Sequence, residues 1–177
     1  MNEDGQSDYE RIRVLAQETR LAIVQVVLGH PCMMPSIAEV DYYIPSRQKA
    51  TLTEHVEKLV EVDVLDWKEN PHRKRDEPGT FVVLTDSGYR LLDDHNLLLD
   101  ELDDIRDQIA KTERTAKIRR YERARRPTVD VDYDHPLVGD GEIVDPTTRC
   151  AESYPDDIME DTSEMIRGAK GVIGRPS

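Results

Sequence analysis

Apolar residues recur with helical spacing in three stretches near the start of the chain, residues 9–28, 37–44 and 46–62. Each stretch predicts a helix with one side in the core. In the third stretch the apolar positions follow the spacing i, i+4, i+7 and i+8, at Leu52, Val56, Leu59 and Val60. The other side of this helix is polar, so we expect it to be available for binding.

Local signals mark the ends of these helices. Gly29 followed by Pro31 is expected to end the first helix, with the glycine as a left-handed cap and the proline as a block to continuation. Ser36 and Glu39 fit the S-x-x-E capping box at the start of the second helix. The two helices that follow Pro31 are therefore predicted to be joined by a tight turn.

A β-hairpin is predicted after the third helix. Residues 64–69 and 80–85 are rich in aromatic and β-branched residues, and the turn-rich residues 70–79 separate them. Two helices joined by a tight turn and followed by a hairpin form the plan of a winged helix-turn-helix. The predicted fold class is therefore mainly α with a small β-hairpin wing (α+β).

Residues 86–126 predict one long C-terminal helix, with no proline or glycine after Gly88. Such a helix of about 40 residues would be about 60 Å long, which is too long for one small domain to cover. Its apolar residues alternate at spacings of four and three, as in a coiled-coil seam. The predicted seam contributes five dimerisation residues: Leu91, Leu98, Leu102, Ile105 and Ile109.

The charges along this segment favour an antiparallel homodimer. Residues 93–107 hold seven acids and one base, whereas residues 111–126 hold eight bases and two acids. An antiparallel pair would place each acidic half beside a basic half. The alternative use of the basic run RRYERARR, at residues 119–126, is contact with DNA that flanks a binding site. We favour the dimer.

The composition is strongly acidic, with a net charge of −13, 21 Asp against 16 Glu and 17 Arg against 7 Lys. Excess Asp with few lysines favours a protein that works in molar salt, as in haloarchaea; the alternative is an acidic mesophilic protein with a charged tail. The tail, residues 127–177, holds twelve acids and four bases and is predicted to be mostly disordered. Shielding of the basic wing by this tail is one hypothesis for its role.

The sequence gives no sign of catalysis. It contains no glycine-rich phosphate loop, no H-E-x-x-H and no G-x-S-x-G, so neither an enzyme nor a cofactor is expected. Cys32 and Cys150 are far apart without CxxC spacing, so each is expected to be a buried or idle thiol. His30, Cys32, Met33 and Met34 lie together, but a connector with partly buried side chains is favoured over a soft-metal site.

No stretch of 18 apolar residues and no signal-peptide pattern is found, so no membrane partner is expected and the protein is predicted to be soluble and cytoplasmic.

The third helix and the hairpin tip carry the candidate DNA-binding residues. Ser46 is a plausible N-cap, and a first turn with basic residues at a helix N-terminus suits phosphate. Side chains on the polar side are placed to reach base edges, and cations at the tip are placed to touch backbone or minor groove. These residues are Ser46, Arg47, Gln48, Lys49, Thr51, Thr53 and Glu54 on the helix, and His72, Arg73, Lys74 and Arg75 on the wing.

Several strings resemble the ArsR-like winged helix-turn-helix regulators, with the haloarchaeal branch most similar. The resemblance covers roughly residues 10–125, and the strings are LAQETRLAIVQVVL (15–28), IAEVDYYIPSRQKATLTEHVEKLVEVDVL (37–65), FVVLTDSGYRLL (81–92), DHNLL (94–98) and KIRRYE (117–122). It implies a dimeric transcription regulator whose DNA-facing residues are Lys49, Ala50, Thr51, Thr53, Glu54 and His55. The chain departs from the family at Asp63, where glycine is usual, and lacks its metal-sensing cysteine pair, which leaves the effector unknown.

The sequence thus divides into residues 1–8 as a flexible N-terminus, 9–85 as the DNA-binding domain, 86–126 as the dimerisation helix and 127–177 as the tail. The expected function is sequence-specific binding of double-stranded DNA by a homodimer that regulates transcription. The rival is a winged helix used as a protein-interaction module in a transcription or replication assembly, or as a virus-encoded factor.

Overall fold

The computed structural model describes residues 7–44, 49–71, 73–129, 138–139 and 142–143. It contains seven α-helices among these residues: α1 Asp8–Leu15, α2 Glu18–Gly29, α3 Ile37–Tyr43, α4 Lys49–Glu61, α5 Asp86–Asp94, α6 Leu102–Lys111 and α7 Ala116–Glu122. The strands are β1 Leu65–Glu69, β2 Thr80–Leu84, β3 Val138–Gly139 and β4 Glu142–Ile143. The predicted mainly helical fold with a two-stranded hairpin is confirmed.

The first predicted helix is divided in two. Its continuity over residues 9–28 was wrong, because α1 ends at Leu15 and Gln17 becomes the N-cap of α2. The Gln17 side chain accepts a hydrogen bond from the Arg20 N–H at 3.0 Å. The break lets α1 turn away from α2, so that Arg11 donates to the Val62 carbonyl at 3.0 Å. This distant contact is invisible in the helical periodicity.

Gly29 is the last residue of α2, not a left-handed cap, so that expectation was also wrong. The glycine is needed for close packing. A Cβ at this position would lie 2.6 Å from Ile109 Cδ1 and 2.7 Å from Ile105 Cγ2. Helix α6 therefore approaches α2 more closely than any other residue at position 29 would allow.

The helix-turn-helix consists of α3 and α4. The predicted capping box is present: the Glu39 N–H donates to Ser36 Oγ at 3.3 Å, and the Ser36 N–H donates to Glu39 Oε2 at 2.6 Å. The apolar stripe of α4 is confirmed, since its residues are fully buried except for the half-buried Val60. The predicted cap Ser46 and the first-turn residues Arg47 and Gln48 lie outside the described residues.

The wing is an antiparallel hairpin in which Leu65 pairs with Leu84 and Glu69 pairs with Thr80. The apolar side chains of β2 are buried, which fixes the hairpin against the core. The connector between α2 and α3 lies beside it, because the Val82 N–H donates to the Pro35 carbonyl at 2.8 Å. The side chains of this connector, at His30, Cys32, Met33 and Met34, are at most 1% exposed, so they are more deeply buried than expected.

The prediction of one continuous helix over residues 86–126 was wrong. Helix α5 ends at Asp94, and a turn follows in which Asn96 and Leu98 have φ angles of 51° and 63°. Helix α6 then packs against α2. Spacings of four and three are shared by coiled-coil seams and by amphipathic helices that cover their own domain, so the pattern does not distinguish the two.

The five predicted dimerisation residues all contact this chain's own core. Leu91, Ile105 and Ile109 are buried, with 2%, 8% and 7% exposure. Leu98 and Leu102 are partly buried against the same core. Leu91, Ile105 and Ile109 are therefore covered without a second chain, whereas Leu98 and Leu102 are covered only in part.

The core extends beyond residue 126, since Val129 is 6% exposed and belongs to it. Further on, β3 pairs with β4 through Val138 and Ile143. The prediction of a mostly disordered tail falls largely on residues outside those described. Among the described residues, no helix is both long and apolar enough to cross a bilayer.

Cys32 is buried, as predicted, but it is disulfide-bonded, so the prediction of a thiol at this position was wrong. Separation along the sequence does not limit disulfide formation, which requires only that two Cα atoms come within about 7 Å in the fold. The other cysteine, Cys150, lies outside the described residues.

Candidate nucleic-acid interface

The polar side of α4 faces away from the core. Glu54, Glu57 and Lys58 are exposed, while Thr51, Thr53 and His55 are half-buried. Lys49 and Ala50 belong to the first turn of α4, but their side chains lie outside those described. The residues of α4 that were predicted to contact DNA, where the structure describes them, thus lie opposite or beside the buried apolar stripe of the helix.

The wing tip is a compact turn that presents cations. The Asn70 N–H donates to the Gly79 carbonyl at 2.9 Å, which closes the tip. The Lys74 N–H donates to Glu77 Oε2 at 3.1 Å, and Arg73 Nε donates to the Glu77 carbonyl at 3.2 Å. Arg73, Lys74 and Arg75 are exposed. The fourth predicted wing residue, His72, lies outside the described residues.

A fixed corner sets the angle between α4 and the wing. Asp63 has a φ angle of 55°, and the Val64 N–H donates to the Leu59 carbonyl at 2.9 Å, as in a Schellman cap. Asp63 therefore occupies a left-handed position, where glycine is the usual residue.

Two further side chains hold this corner from outside. Arg11 donates to the Asp63 carbonyl at 3.0 Å, and Thr85 Oγ1 donates to the same carbonyl at 2.7 Å. Arg11 also donates to Ser87 Oγ at 2.8 Å, which ties α1 to the start of α5. Helix α4 and the wing are thus held as one unit.

A solved structure is similar to this chain in sequence and in overall fold. The chain is 32% identical to a protein with a GntR superfamily winged-helix-turn-helix domain from Halomicrobium mukohataei, with a TM-score of 0.64. The alignment covers 72% of this chain and 89% of that one. The chain belongs to the family of proteins with a GntR-superfamily winged-helix-turn-helix domain. The similarity is therefore to a haloarchaeal protein of the GntR superfamily, and the predicted ArsR-like branch is not confirmed.

No protein-family profile and no curated protein sequence matches the chain.

In this GntR-superfamily domain, helix α3 is anchored by a buried ionic cluster that the sequence patterns did not reveal. We define the cluster as His30, Glu39, Arg114, Glu122 and Arg126. Glu39 is completely buried. Arg126 Nη2 donates to both of its carboxylate oxygens, to Oε1 at 2.8 Å and to Oε2 at 3.0 Å. Burial raises the pKa of the Glu39 carboxyl, but Arg126, His30 and the Ser36 N–H outweigh it and lower the pKa from 4.5 to about 2.

His30 completes the environment of Glu39. The Cys32 N–H donates to His30 Nδ1 at 3.2 Å, so Nε2 is the ring nitrogen that donates. His30 Nε2 then donates to Glu39 Oε1 at 2.9 Å. The connector and the first helix of the helix-turn-helix are thereby joined through one carboxylate.

The second half of the cluster attaches α7 to α3. Glu122 Oε1 accepts hydrogen bonds from Tyr43 Oη at 2.7 Å and from Arg114 Nε at 2.8 Å. Arg126 donates to the carbonyls of Tyr121 and Glu122 at 2.8 Å and 2.7 Å, which stabilises the carbonyl end of α7. The guanidinium also lies 4.8 Å from the centre of the Phe81 ring.

A metal at this cluster would compete with arginine. Among the described residues, His30, Glu39 and Glu122 bring potential ligand atoms within 4.8 Å of one another. Both carboxylates already pair with a guanidinium, from Arg126 and Arg114 respectively. The donor set is therefore used for structure, and a divalent cation could enter only by displacing two buried charges.

Proposed function

We propose that the protein is a transcription regulator that binds a specific sequence of double-stranded DNA, with α4 in the major groove. The observation that carries the proposal is the paired placement of a polar α4 face and an exposed cationic wing tip on one rigid corner. The 32% identity to a protein with a GntR-superfamily winged-helix-turn-helix domain supports it. Winged helix-turn-helix domains use these two elements to contact bases and backbone.

We assign the roles of individual residues by their chemistry. Lys49 donates to guanine, Glu54 accepts from the cytosine amino group, and Thr51 and Thr53 contact thymine or adenine edges. The phosphate contacts come from Arg47 and Gln48 near the α4 N-terminus, with Ser46 as its cap, and from the wing residues His72, Arg73, Lys74 and Arg75. His55 borders the same face.

We further propose that the protein acts as a homodimer, since a dimer can read two half-sites one helical turn apart. Leu91, Ile105 and Ile109 are already buried within the chain. Of the predicted seam, Leu98 and Leu102 remain partly accessible and are the residues we propose at the dimer contact. Sedimentation with Leu98→Ser and Leu102→Ser tests this contact separately from DNA binding.

The experiment that tests the proposal is selection of bound duplexes from a random pool at about 1 to 3 M KCl, the range in which counterion release contributes least. We expect the protein to enrich one motif with two half-sites. Replacement of Arg73, Lys74 and Arg75 with alanine should abolish the enrichment. The matched control replaces three exposed cations outside the wing with alanine, namely Arg13 of α1, Arg90 of α5 and Lys111 of α6. This variant should still enrich the motif.

Each outcome decides between specific and general binding. An enriched motif that changes at defined positions in Lys49→Ala and Glu54→Gln supports base reading by α4. Equal loss in the wing variant and the control would mean that total charge, not the wing, governs binding. Absence of any enriched motif would overturn the proposal.

One observation favours the rival function of a protein-interaction module. Among the side chains of α4 that the structure describes, residues 51–61, the exposed ones are the acids Glu54, Glu57 and Glu61 and the base Lys58. An acidic face repels phosphate and suits a basic protein surface. Under this alternative, the wing variant would bind its partner protein as well as the wild type does.

A further inference from the structure

We propose that α7 forms a second phosphate-binding surface beside the wing, so that the protein contacts DNA backbone outside the region covered by α4 and the wing tip. This inference rests on the proposed DNA-binding function. The surface consists of Lys117, Arg120 and Arg123, which are all exposed. Lys117 and Arg120 are neighbours three positions apart on α7, and Arg123 is the C-cap residue that follows the helix.

The position of α7 relative to the wing carries the inference. Arg120 Nη1 lies 4.0 Å from Asp76 Oδ2, and Asp76 is part of the wing tip. Both side chains are mostly exposed, at 58% and 70%. An ion pair this exposed adds little stability, but it shows that the cationic side of α7 is next to the tip cations Arg73, Lys74 and Arg75. The two basic surfaces are therefore adjacent and meet at Asp76 of the wing tip.

The anchoring of α7 is the second observation. Its opposite side is buried, with Ile118 and Glu122 at 4% and 2% exposure. Glu122 and Arg126 attach the helix to Tyr43 and Glu39 of α3. A solvated run of cations needs no such attachment. The cationic side is thus held at a fixed position relative to the helix-turn-helix, as a backbone contact requires.

The charge distribution makes this surface unusual in the chain. Residues 114–126 carry a net charge of +6 from seven bases and one acid, within a protein of net charge −13. Arg114 and Arg126 belong to the buried cluster, where they pair with Glu122 and Glu39. Lys117 Nζ lies 5.6 Å from the centre of the Tyr121 ring. Of the remaining cations, Lys117, Arg120, Arg123 and Arg125 are exposed, and Arg120 contacts the wing tip at Asp76.

The salt dependence of binding tests the inference. Each phosphate contact contributes about 0.9 to the slope of log K against log salt concentration. We expect Lys117→Gln with Arg120→Gln to reduce the slope by about 1.8 on mixed-sequence duplexes. The control, Arg13→Gln with Lys111→Gln, removes the same charge elsewhere and should leave the slope unchanged. Circular dichroism at each salt concentration verifies that both variants are folded.

A second measurement varies the length of the duplex and compares the wild type with the α7 variant. Extension of a duplex spanning two half-sites by about one helical turn on each side should increase affinity several-fold, because α7 then reaches backbone. The α7 variant should show no such gain. If the wild type binds DNA but the slope and the gain are the same in both variants, α7 does not contact phosphate and the proposed function stands. If the wild type binds no duplex, both proposals fail.

Discussion

Helix α3 packs against α4 on one side and against α7 on another, and the two contacts are built from different chemistry. On the α4 side, Val40 and Leu52 belong to the apolar core. On the α7 side, Glu39 pairs with Arg126 and Tyr43 donates to Glu122. Apolar contacts tolerate small shifts, whereas a buried ion pair is stable only in one geometry. Helix α4 is therefore held to α3 by apolar packing, while α7 is held to α3 by directional bonds as well.

Of the changes considered, Arg126→Met should lower the free energy of unfolding the most, because it breaks the ionic contact between Arg126 and Glu39. Removal of one partner leaves the Glu39 carboxylate buried without its cation, which typically costs about 3 to 5 kcal/mol. We expect that loss in the free energy of unfolding, measured by denaturant titration at high salt. Arg126→Lys should recover only part of it, because an ammonium cannot also reach the carbonyls of Tyr121 and Glu122. A loss below about 1 kcal/mol in Arg126→Met would show that water reaches Glu39.

Acid should weaken the ionic side selectively. The pKa of Glu39 is lowered from 4.5 to about 2 in the folded protein, so its stabilising contribution is complete above pH 4.5 and decreases as the pH falls toward 2. The loss amounts to roughly 3 kcal/mol over this range. We therefore expect the difference in unfolding free energy between wild type and Glu39→Gln to shrink between pH 4.5 and 2.

The apolar side provides the control for this titration. Leu59 is fully buried in the α4 stripe, and Leu59→Ala should cost about 3 kcal/mol through lost burial and a cavity. Because no titrating group is involved, its cost should be the same at pH 7 and pH 3. An equal pH dependence in both variants would mean that the acid effect is not specific to Glu39.

The corner at Asp63 should give the smallest change. Its left-handed backbone costs an L-residue about 1 to 2 kcal/mol, and glycine recovers that amount less about 0.5 to 1 kcal/mol of chain entropy. We expect Asp63→Gly to raise the unfolding free energy by about 0.5 kcal/mol, measured in the same titration. Asp63→Val should lower it. A loss in Asp63→Gly would instead indicate that the carboxylate itself stabilises the corner.

The features that sequence patterns predicted correctly are local ones. The apolar stripe of α4 follows from the spacing of residues within one helix, and the hairpin follows from two β-rich runs around a turn. The capping box follows from Ser36 and Glu39, which are three positions apart in the sequence. Each is decided by residues within a few positions of one another. The predicted DNA contacts remain predictions, although α4 and the wing tip are where they were expected.

The features that were missed depend on distant contacts. The helix break at Gln17 accompanies hydrogen bonds from Arg11 to the carbonyls of Val62 and Asp63, more than 50 positions away in the sequence. The role of Gly29 depends on its close contact with α6. Arg126 looked like one cation in a basic run, and its burial is decided by Glu39, 87 positions earlier. Helical spacing in residues 86–126 predicted apolar faces correctly but could not show which surface covers them.

The distance in sequence between Glu39 and Arg126 also bears on how the chain folds during synthesis. The helix-turn-helix and the wing emerge from the ribosome first, at a stage when the carboxylate of Glu39 lacks its guanidinium. Loops of this length close slowly relative to local helices and hairpins. We expect the nascent domain to adopt its final stability only after residue 126 has emerged, so that premature termination within α7 would release a chain with the binding elements formed but poorly protected from proteases.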